Sequence, residues 1–301
     1  MTTANATASA AATLTLSQRP RSLWRDAWAR LVRNRAAVFG GVIVLLLIIA
    51  GLAAPLLAPY SPIKQDLRNS VKPPSIEHLL GTDVHGRDIL SRIIHGAAYS
   101  LRIGFLGAFL AGLIGSVLGL ISGYYGGIAD LLVMRLMDIL LAFPGLLLAI
   151  AIIAAIGPGL NKVIIAVAIF SVPTFTRVVR GSVLSVRQNE YVVAARTVGA
   201  TDSRIMRLHL FPNILAPLIV LVTMRIATAI LTAASLSFLG LGAQPPTPEW
   251  GAMLSDGRDY LVLAPHVATF PGLAILLAVL GFNLVGDGLR EFLDPRLREV
   301  A

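Results

Sequence analysis

Long stretches without a charged residue constrain this chain more than any other feature of its sequence. A helix needs about 20 apolar residues to cross the hydrocarbon core of a bilayer, which is about 30 Å thick. Six stretches meet or approach this length: residues 36–58, 103–129, 139–161, 163–176, 213–239 and 260–286. Only the fifth contains a charged side chain, that of Arg225. The sequence therefore predicts an all-α integral membrane protein with six transmembrane helices and both termini on one side.

Composition agrees with this prediction and excludes several kinds of site. Of the 301 residues, 56% are hydrophobic and 14% are charged, and the mean hydropathy is +0.78. The absence of cysteine excludes disulfides and thiolate ligands for metals or redox groups. The net charge of +9 is compatible with nucleic-acid binding, but the basic residues lie at the ends of the spans rather than in one soluble patch. We therefore expect the chain to interact with the lipid bilayer and not with nucleic acid.

The distribution of arginine predicts the orientation, because short cytoplasmic loops carry an excess of Lys and Arg. Arginines cluster before the first span and after the fourth: Arg19, Arg21, Arg25, Arg30, Arg33 and Arg35, then Arg177, Arg180, Arg187, Arg196, Arg204 and Arg207. Both termini and the segment after the fourth span are therefore expected in the cytoplasm. The 59–99 segment mixes both charges, and the number of spans places it outside.

The remaining segments differ in character. Residues 1–20 are rich in Ala and Thr and are expected to be disordered. Over residues 21–35, Trp24, Trp28 and Leu31 share one helical face, which predicts an interfacial amphipathic helix; a basic flank with Trp anchors explains them equally well. Residues 100–289 are expected to form the core and 290–301 a cytoplasmic tail.

Small residues recur every four positions along the second predicted span. They form two series: Gly104, Ala108 and Gly112, then Gly115, Gly119 and Gly123. Such spacing lets helix backbones approach closely and marks faces that contact protein. We therefore expect this helix to be packed between others.

One polar segment, residues 190–213, interrupts the apolar sequence after the fourth span. Its first part favours a helix that Gly199 can end in a left-handed conformation, and Thr201 or Asp202 can cap a second short helix. Pro212 then starts the fifth span. Two short helices joined by a sharp bend are typical of a docking site for a soluble partner, whereas a solvated connector needs charges but no paired caps.

The polar segment resembles a known family. Its small residues and proline match the spacing of the EAA loop of bacterial ABC importer permeases: Ala194, Ala195, Gly199 and Pro212. It departs from the general consensus at Val193, His209 and Phe211. The wider phrase, from Glu190-Tyr-Val to His-Leu-Phe-Pro-Asn213, is similar to the dipeptide, oligopeptide and nickel branch.

Three other segments resemble the same branch and occur in the same order: residues 79–92, 237–251 and 283–296. The resemblance covers nearly the whole chain, from about residue 21 to residue 298. The short external segment after the first span favours the C-type permease of the pair over the B-type.

The resemblance implies a type I, MetI-like importer permease with no chemistry of its own. Such a permease pairs with a homologous B-type permease in the bacterial inner membrane, binds two cytosolic ATPase subunits and receives solute from an external solute-binding protein. This chain has no Gly-x4-Gly-Lys-Ser/Thr loop, so ATP and Mg are expected on the partner ATPases and no cofactor here. The implied cargo is di- or oligopeptides; nickel or a small solute such as glutathione is the alternative.

Seven residues are predicted to couple the permease to the ATPase, within a loop at residues 181–212. Ala194, Ala195 and Gly199 would permit close docking, while polar contacts would come from Glu190, Arg196 and Arg204; Pro212 starts the next span.

Arg225 lies midway along the fifth predicted span, where a charge costs about 2.5–3.5 kcal/mol on insertion scales. Our hypothesis is that it lines the translocation path; a structural arginine paired within the bundle is the alternative. A secondary transporter would need ionisable residues at mid-membrane for ion coupling, and only Arg225 qualifies. An enzyme would need a convergent acid, base and nucleophile, and no span carries such a set.

A group of acidic residues and histidines follows the first span: His78, Asp83, His85, Asp88 and His95. Its spacing matches no recognised metal motif. The nearby glycines favour a turn-rich segment in which Thr82 or Asp83 caps the next helix. We therefore expect no metal site.

Overall fold

A computed structural model describes residues 34–293 of the chain. Its α-helices are α1 (Arg35–Leu52), α2 (Ala54–Leu57), α3 (Ile89–Tyr125), α4 (Gly127–Leu141), α5 (Gly145–Ile156), α6 (Leu160–Val186), α7 (Glu190–Thr197), α8 (Asp202–Ile205), α9 (Phe211–Phe238), α10 (Trp250–Gly257) and α11 (His266–Leu293). Within these residues no strand forms, which confirms the all-α prediction. The expected tail at 1–20, nearly all of the interfacial helix at 21–35 and most of the C-terminal tail lie outside the described residues.

The number of membrane-spanning helices is five or six. Five helices are long and apolar enough to cross a bilayer, and the pair α4–α5 supplies a sixth crossing if it counts as one span. This pair is bent by 92°, so the prediction of one helix over residues 139–161 is wrong. The break lies before Pro144, because proline lacks an N–H and disfavours helical geometry at Phe143.

Two helices extend beyond their charge-free stretches. The first is α3, which begins at Ile89, inside the segment expected to be external, because the carboxylate of Asp88 accepts a hydrogen bond from the N–H of Ser91 and caps the helix. The second is α6, which continues past Arg177 to Val186. Arg177 and Arg180 pair with carboxylates of α4, so these charges do not end the helix.

The long helix α3 lies between α6 and α9, as its small residues predict. A methyl group on Gly115 would lie 2.5 Å from the Phe175 side chain of α6, and one on Gly119 would lie 2.7 Å from the backbone oxygen of Thr176. Towards α9, a methyl group on Gly104 would lie 2.6 Å from Ile230. The absence of side chains at these glycines is therefore what lets the three helices pack closely.

Candidate functional site

The polar segment opens with α7, which ends in the turn that Gly199 predicts. Gly199 has a φ of +84°, a conformation that strains residues carrying a Cβ. Its N–H donates to the carbonyl of Arg196, and the N–H of Ala200 donates to that of Ala195, both at 3.0 Å. These two bonds form a Schellman motif, which satisfies carbonyls at the helix end and turns the chain sharply.

The second helix of the segment is not a separate unit, and this corrects the prediction. From α8 the chain passes through a π-helical turn at Met206–Leu210 directly into α9. The turn includes a bond from the N–H of Phe211 to the carbonyl of Met206, five residues back. Pro212, in the first turn of α9, has no N–H to donate, and the wider turn accommodates this loss. The side chain of Thr201 makes no cap bond.

The outer surface of α7 is exposed, whereas its inner face is anchored. Ala195 is half-buried, and the other predicted docking residues are exposed: Glu190, Ala194, Arg196, Gly199, Arg204 and Pro212. Two valines are also exposed, Val193 by 55% and Val198 by 83%. Val192 is buried in an apolar cluster with Tyr124 and Ile205. The exposed surface therefore combines small, apolar and charged side chains.

Arg196 makes a contact that the sequence did not predict. Its Nη2 donates to the hydroxyl of Tyr124 at 3.0 Å, and its guanidinium carbon lies 5.4 Å from the centre of the tyrosine ring. This hydrogen bond raises the pKa of Arg196. The hydroxyl itself donates to Asp202 at 2.5 Å. The only signal in the sequence was a pair of tyrosines between glycines at the end of the second span.

Two arginines hold the neighbouring helices together at this end of the bundle: Arg180 in α6 and Arg187 directly after its last residue. Arg180 pairs with Asp130 of α4 through two contacts of 2.5 Å. Asp130 also accepts a hydrogen bond from the hydroxyl of Ser122 in α3. The Nη1 of Arg187 donates to the carbonyl of Gly123 at 2.8 Å. The ends of α3, α4 and α6 are thus held together by charged groups.

Arg225 lies near the middle of α9, as its position in the fifth predicted span indicates, and it is half-buried. No carboxylate within residues 34–293 forms an ion pair with it. Thr228, Thr232 and Ser235 follow at intervals of three or four residues, and each hydroxyl donates to a carbonyl one turn back. These four side chains therefore form a polar stripe along an apolar helix.

The histidines and carboxylates after the first span do not converge on a metal site. Within the described part of the chain no group of three or more His, Asp or Glu side chains has suitable geometry. His78 Nδ1 lies 3.0 Å from a carboxylate oxygen of Asp88. Asp88 caps α3, which corrects the expectation that Thr82 or Asp83 would do so. Asp83 instead accepts hydrogen bonds from the backbone N–H groups of His85 and Arg87.

An ion cluster joins the segment before α3 to α10. Arg87 Nε lies 2.6 Å from Asp83 Oδ2, and both side chains are less than a tenth exposed. The Nη2 of Arg87 also reaches Asp256 of α10 at 3.2 Å. The indole of Trp250 donates to the carbonyl of Ile93 at 3.0 Å. Sequence reasoning missed the cluster because Arg87 and Asp256 are separated by 169 residues.

Comparison with known proteins identifies the family. The family model for "Binding-protein-dependent transport system inner membrane component" matches residues 115–299, and that for "N-terminal TM domain of oligopeptide transport permease C" matches residues 22–74. The chain belongs to this permease family. The permease is 50% identical over 279 residues to the glutathione transport system permease protein GsiD of Pectobacterium atrosepticum, covering 92% of this chain and 93% of that protein.

The name of a second relative refers to a different solute. The permease is 49% identical over 277 residues to the dipeptide transport system permease protein DppC of Alkalihalophilus pseudofirmus, covering 92% and 91% of the two chains. Among solved structures, it resembles the MetNI methionine ABC transporter in an inward-facing conformation, with a TM-score of 0.55, 21% identity and coverage of 68% and 97%. The MetI-like fold is thereby confirmed.

These matches establish the general role of the permease. It is a multi-pass inner-membrane subunit of an ABC importer, and it is not itself the catalytic subunit. Importers of this family work with ATPase subunits and with a solute-binding protein. The predicted C-type identity agrees with the match to the N-terminal domain of oligopeptide transport permease C.

Proposed function

We propose that this permease forms half of the translocation path of an importer for di- or oligopeptides. The two relatives named above carry a dipeptide and glutathione, which are both short peptides, at nearly equal identity. Glutathione is therefore the favoured alternative cargo, and nickel is a more remote one. The chain would pair with a homologous B-type permease, bind two cytosolic ATPases that hold ATP and Mg, and receive solute from an external binding protein.

The observation that carries the coupling role is the arrangement of α7. It is a short helix with an exposed outer surface, and only the Gly199 turn separates it from the helix that becomes α9. Ala194 and Ala195 would let an ATPase cleft approach the backbone, while Glu190 and Arg204 would supply polar contacts. The arginine distribution supports a cytoplasmic location for α7 and for both termini. In this orientation the 59–99 segment is external.

The polar stripe on α9 supports a place for Arg225 on the path. A charged side chain at mid-membrane usually faces a bundle interior or a water-filled cavity, and exposed hydroxyls next to it favour the same side. Arg225 would then meet the carboxylate of a peptide or an acidic group of the B-type permease.

Uptake into cells tests the proposed cargo. A strain lacking this chain should lose uptake of a radiolabelled dipeptide through the importer, and the intact gene should restore it. Uptake of radiolabelled glutathione is measured in the same strains. Restored uptake of glutathione without any dipeptide uptake would overturn the peptide assignment in favour of the alternative.

A further inference from the structure

The hydroxyl of Tyr124 joins three helical elements at one atom. Tyr124 is the penultimate residue of α3 and is 5% exposed. Its hydroxyl accepts a hydrogen bond from Arg196 of α7 at 3.0 Å and donates one to Asp202, the first residue of α8, at 2.5 Å. Both bonds involve a charged group, and such bonds are shorter and stronger than those between neutral groups.

The two partners of this hydroxyl lie on opposite sides of the Gly199 bend. Between them the backbone is exposed or half-buried, and apart from Gly199 and its two chain neighbours no atom of the described chain lies within 4 Å of the position of a Gly199 Cβ. Besides the backbone itself, α7 contacts the rest of the described chain through buried Val192, through Arg196, and through the Tyr191 ring, whose centre lies 6.1 Å from that of His209. A displacement of α7 therefore acts on the Arg196–Tyr124 bond and on the packing of Val192, and both contacts lead to Tyr124 at the end of α3.

The end of α3 is in turn connected to α6. Arg187 donates to the carbonyl of Gly123 at 2.8 Å, and it also lies 3.4 Å from the carbonyl of Tyr124. A force applied to Tyr124 thus reaches the long helices that pack closely along the small-residue face of α3. The hydroxyl makes the hydrogen bonds to both sides of the bend, while the ring packs in an apolar cluster that also contains Val192 of α7 and Ile205 of α8.

We propose that Tyr124 is a positioning residue that transmits the displacement of α7 to α3 when a partner ATPase closes. Arg196 and Asp202 are the two contacts through which it acts. This inference rests on the proposed docking of an ATPase on α7. It predicts that removal of one oxygen atom uncouples ATP hydrolysis from transport without releasing the ATPase.

The test uses the complete importer, purified and reconstituted in proteoliposomes. Tyr124→Phe keeps the ring in its apolar cluster and removes only the hydroxyl. We expect the ATPase to co-purify with this variant, its melting temperature to stay near that of the wild type, and the solute transported per ATP hydrolysed to fall at least about fivefold. Asp202→Asn, which keeps an acceptor for the hydroxyl but loses the charge, should give a smaller decrease.

Tyr125→Phe is the matched control. Tyr125 is the next residue, is 55% exposed, and its hydroxyl makes no hydrogen bond within residues 34–293. It should transport like the wild type. Wild-type transport per ATP in Tyr124→Phe would overturn the inference, as would loss of the bound ATPase or of thermal stability, since the hydroxyl would then serve docking or folding. If the wild-type chain itself retains no ATPase, the proposed function fails and the inference with it.

Discussion

Arg180 of α6 donates two hydrogen bonds to the carboxylate of Asp130 in α4, from Nε and from Nη2, each at 2.5 Å. The side chains are only 30% and 23% exposed, so solvent screens the pair weakly. A second ion pair joins the same two helices, between Arg177 and Asp138, but its side chains are 48% and 49% exposed. The two pairs therefore allow the contribution of a more buried ion pair to stability to be compared with that of a more exposed one.

Asp130→Asn is expected to destabilise the protein by about 1–3 kcal/mol, because it removes a charged acceptor from Arg180 and from the Ser122 hydroxyl. Asp138→Asn, the control, should cost less than about 1 kcal/mol, since exposed ion pairs contribute little. The free energy of unfolding in detergent micelles measures both. Equal losses in the two variants would refute the role assigned to burial.

Gly119→Ala should disturb the contact between α3 and α6. The added methyl group would lie 2.7 Å from the backbone oxygen of Thr176, and a backbone atom cannot move aside as a flexible side chain does. We expect a loss of about 1–3 kcal/mol in the free energy of unfolding. Gly41→Ala in α1 is the control, because no atom outside the adjacent part of its own helix lies within 4 Å of its Cβ position, and it should cause no loss. A neutral Gly119→Ala would contradict the proposed close packing.

The spans and the Gly199 turn were predictable because their causes are local. Charge-free length predicts a membrane helix, and a glycine at the end of a helix predicts a left-handed cap. The break before Pro144 was missed because hydropathy does not distinguish a straight span from a bent pair. The contacts of Tyr124 with Arg196 and Asp202 could not be predicted, since they join residues 72 and 78 positions apart.

Arg225→Gln separates the path hypothesis from a structural role. If Arg225 meets the solute, the variant should assemble with its partners and keep its stability but lose most peptide uptake. Arg225→Lys keeps the positive charge and should retain more uptake than the glutamine variant. Uptake of labelled dipeptide and recovery of the assembled complex are measured together. Normal uptake in correctly assembled Arg225→Gln would contradict the path hypothesis.

Substitutions at Gly199 test whether α7 docks a partner ATPase. Apart from Gly199 and its two chain neighbours, no described atom of this chain lies within 4 Å of a Cβ at this position, so a clash there would come from another chain. Gly199→Asn retains access to the left-handed conformation, whereas Gly199→Ala tests the strained cap with little bulk.

The decisive measurement is the amount of ATPase that co-purifies with each variant of the permease, relative to the wild type. We expect that Gly199→Asp and Gly199→Asn both lose most of the bound ATPase, while Gly199→Ala loses stability but retains more of it. Full retention of the ATPase and of solute-stimulated ATP hydrolysis in Gly199→Asp would show that α7 is not the docking site of the ATPase.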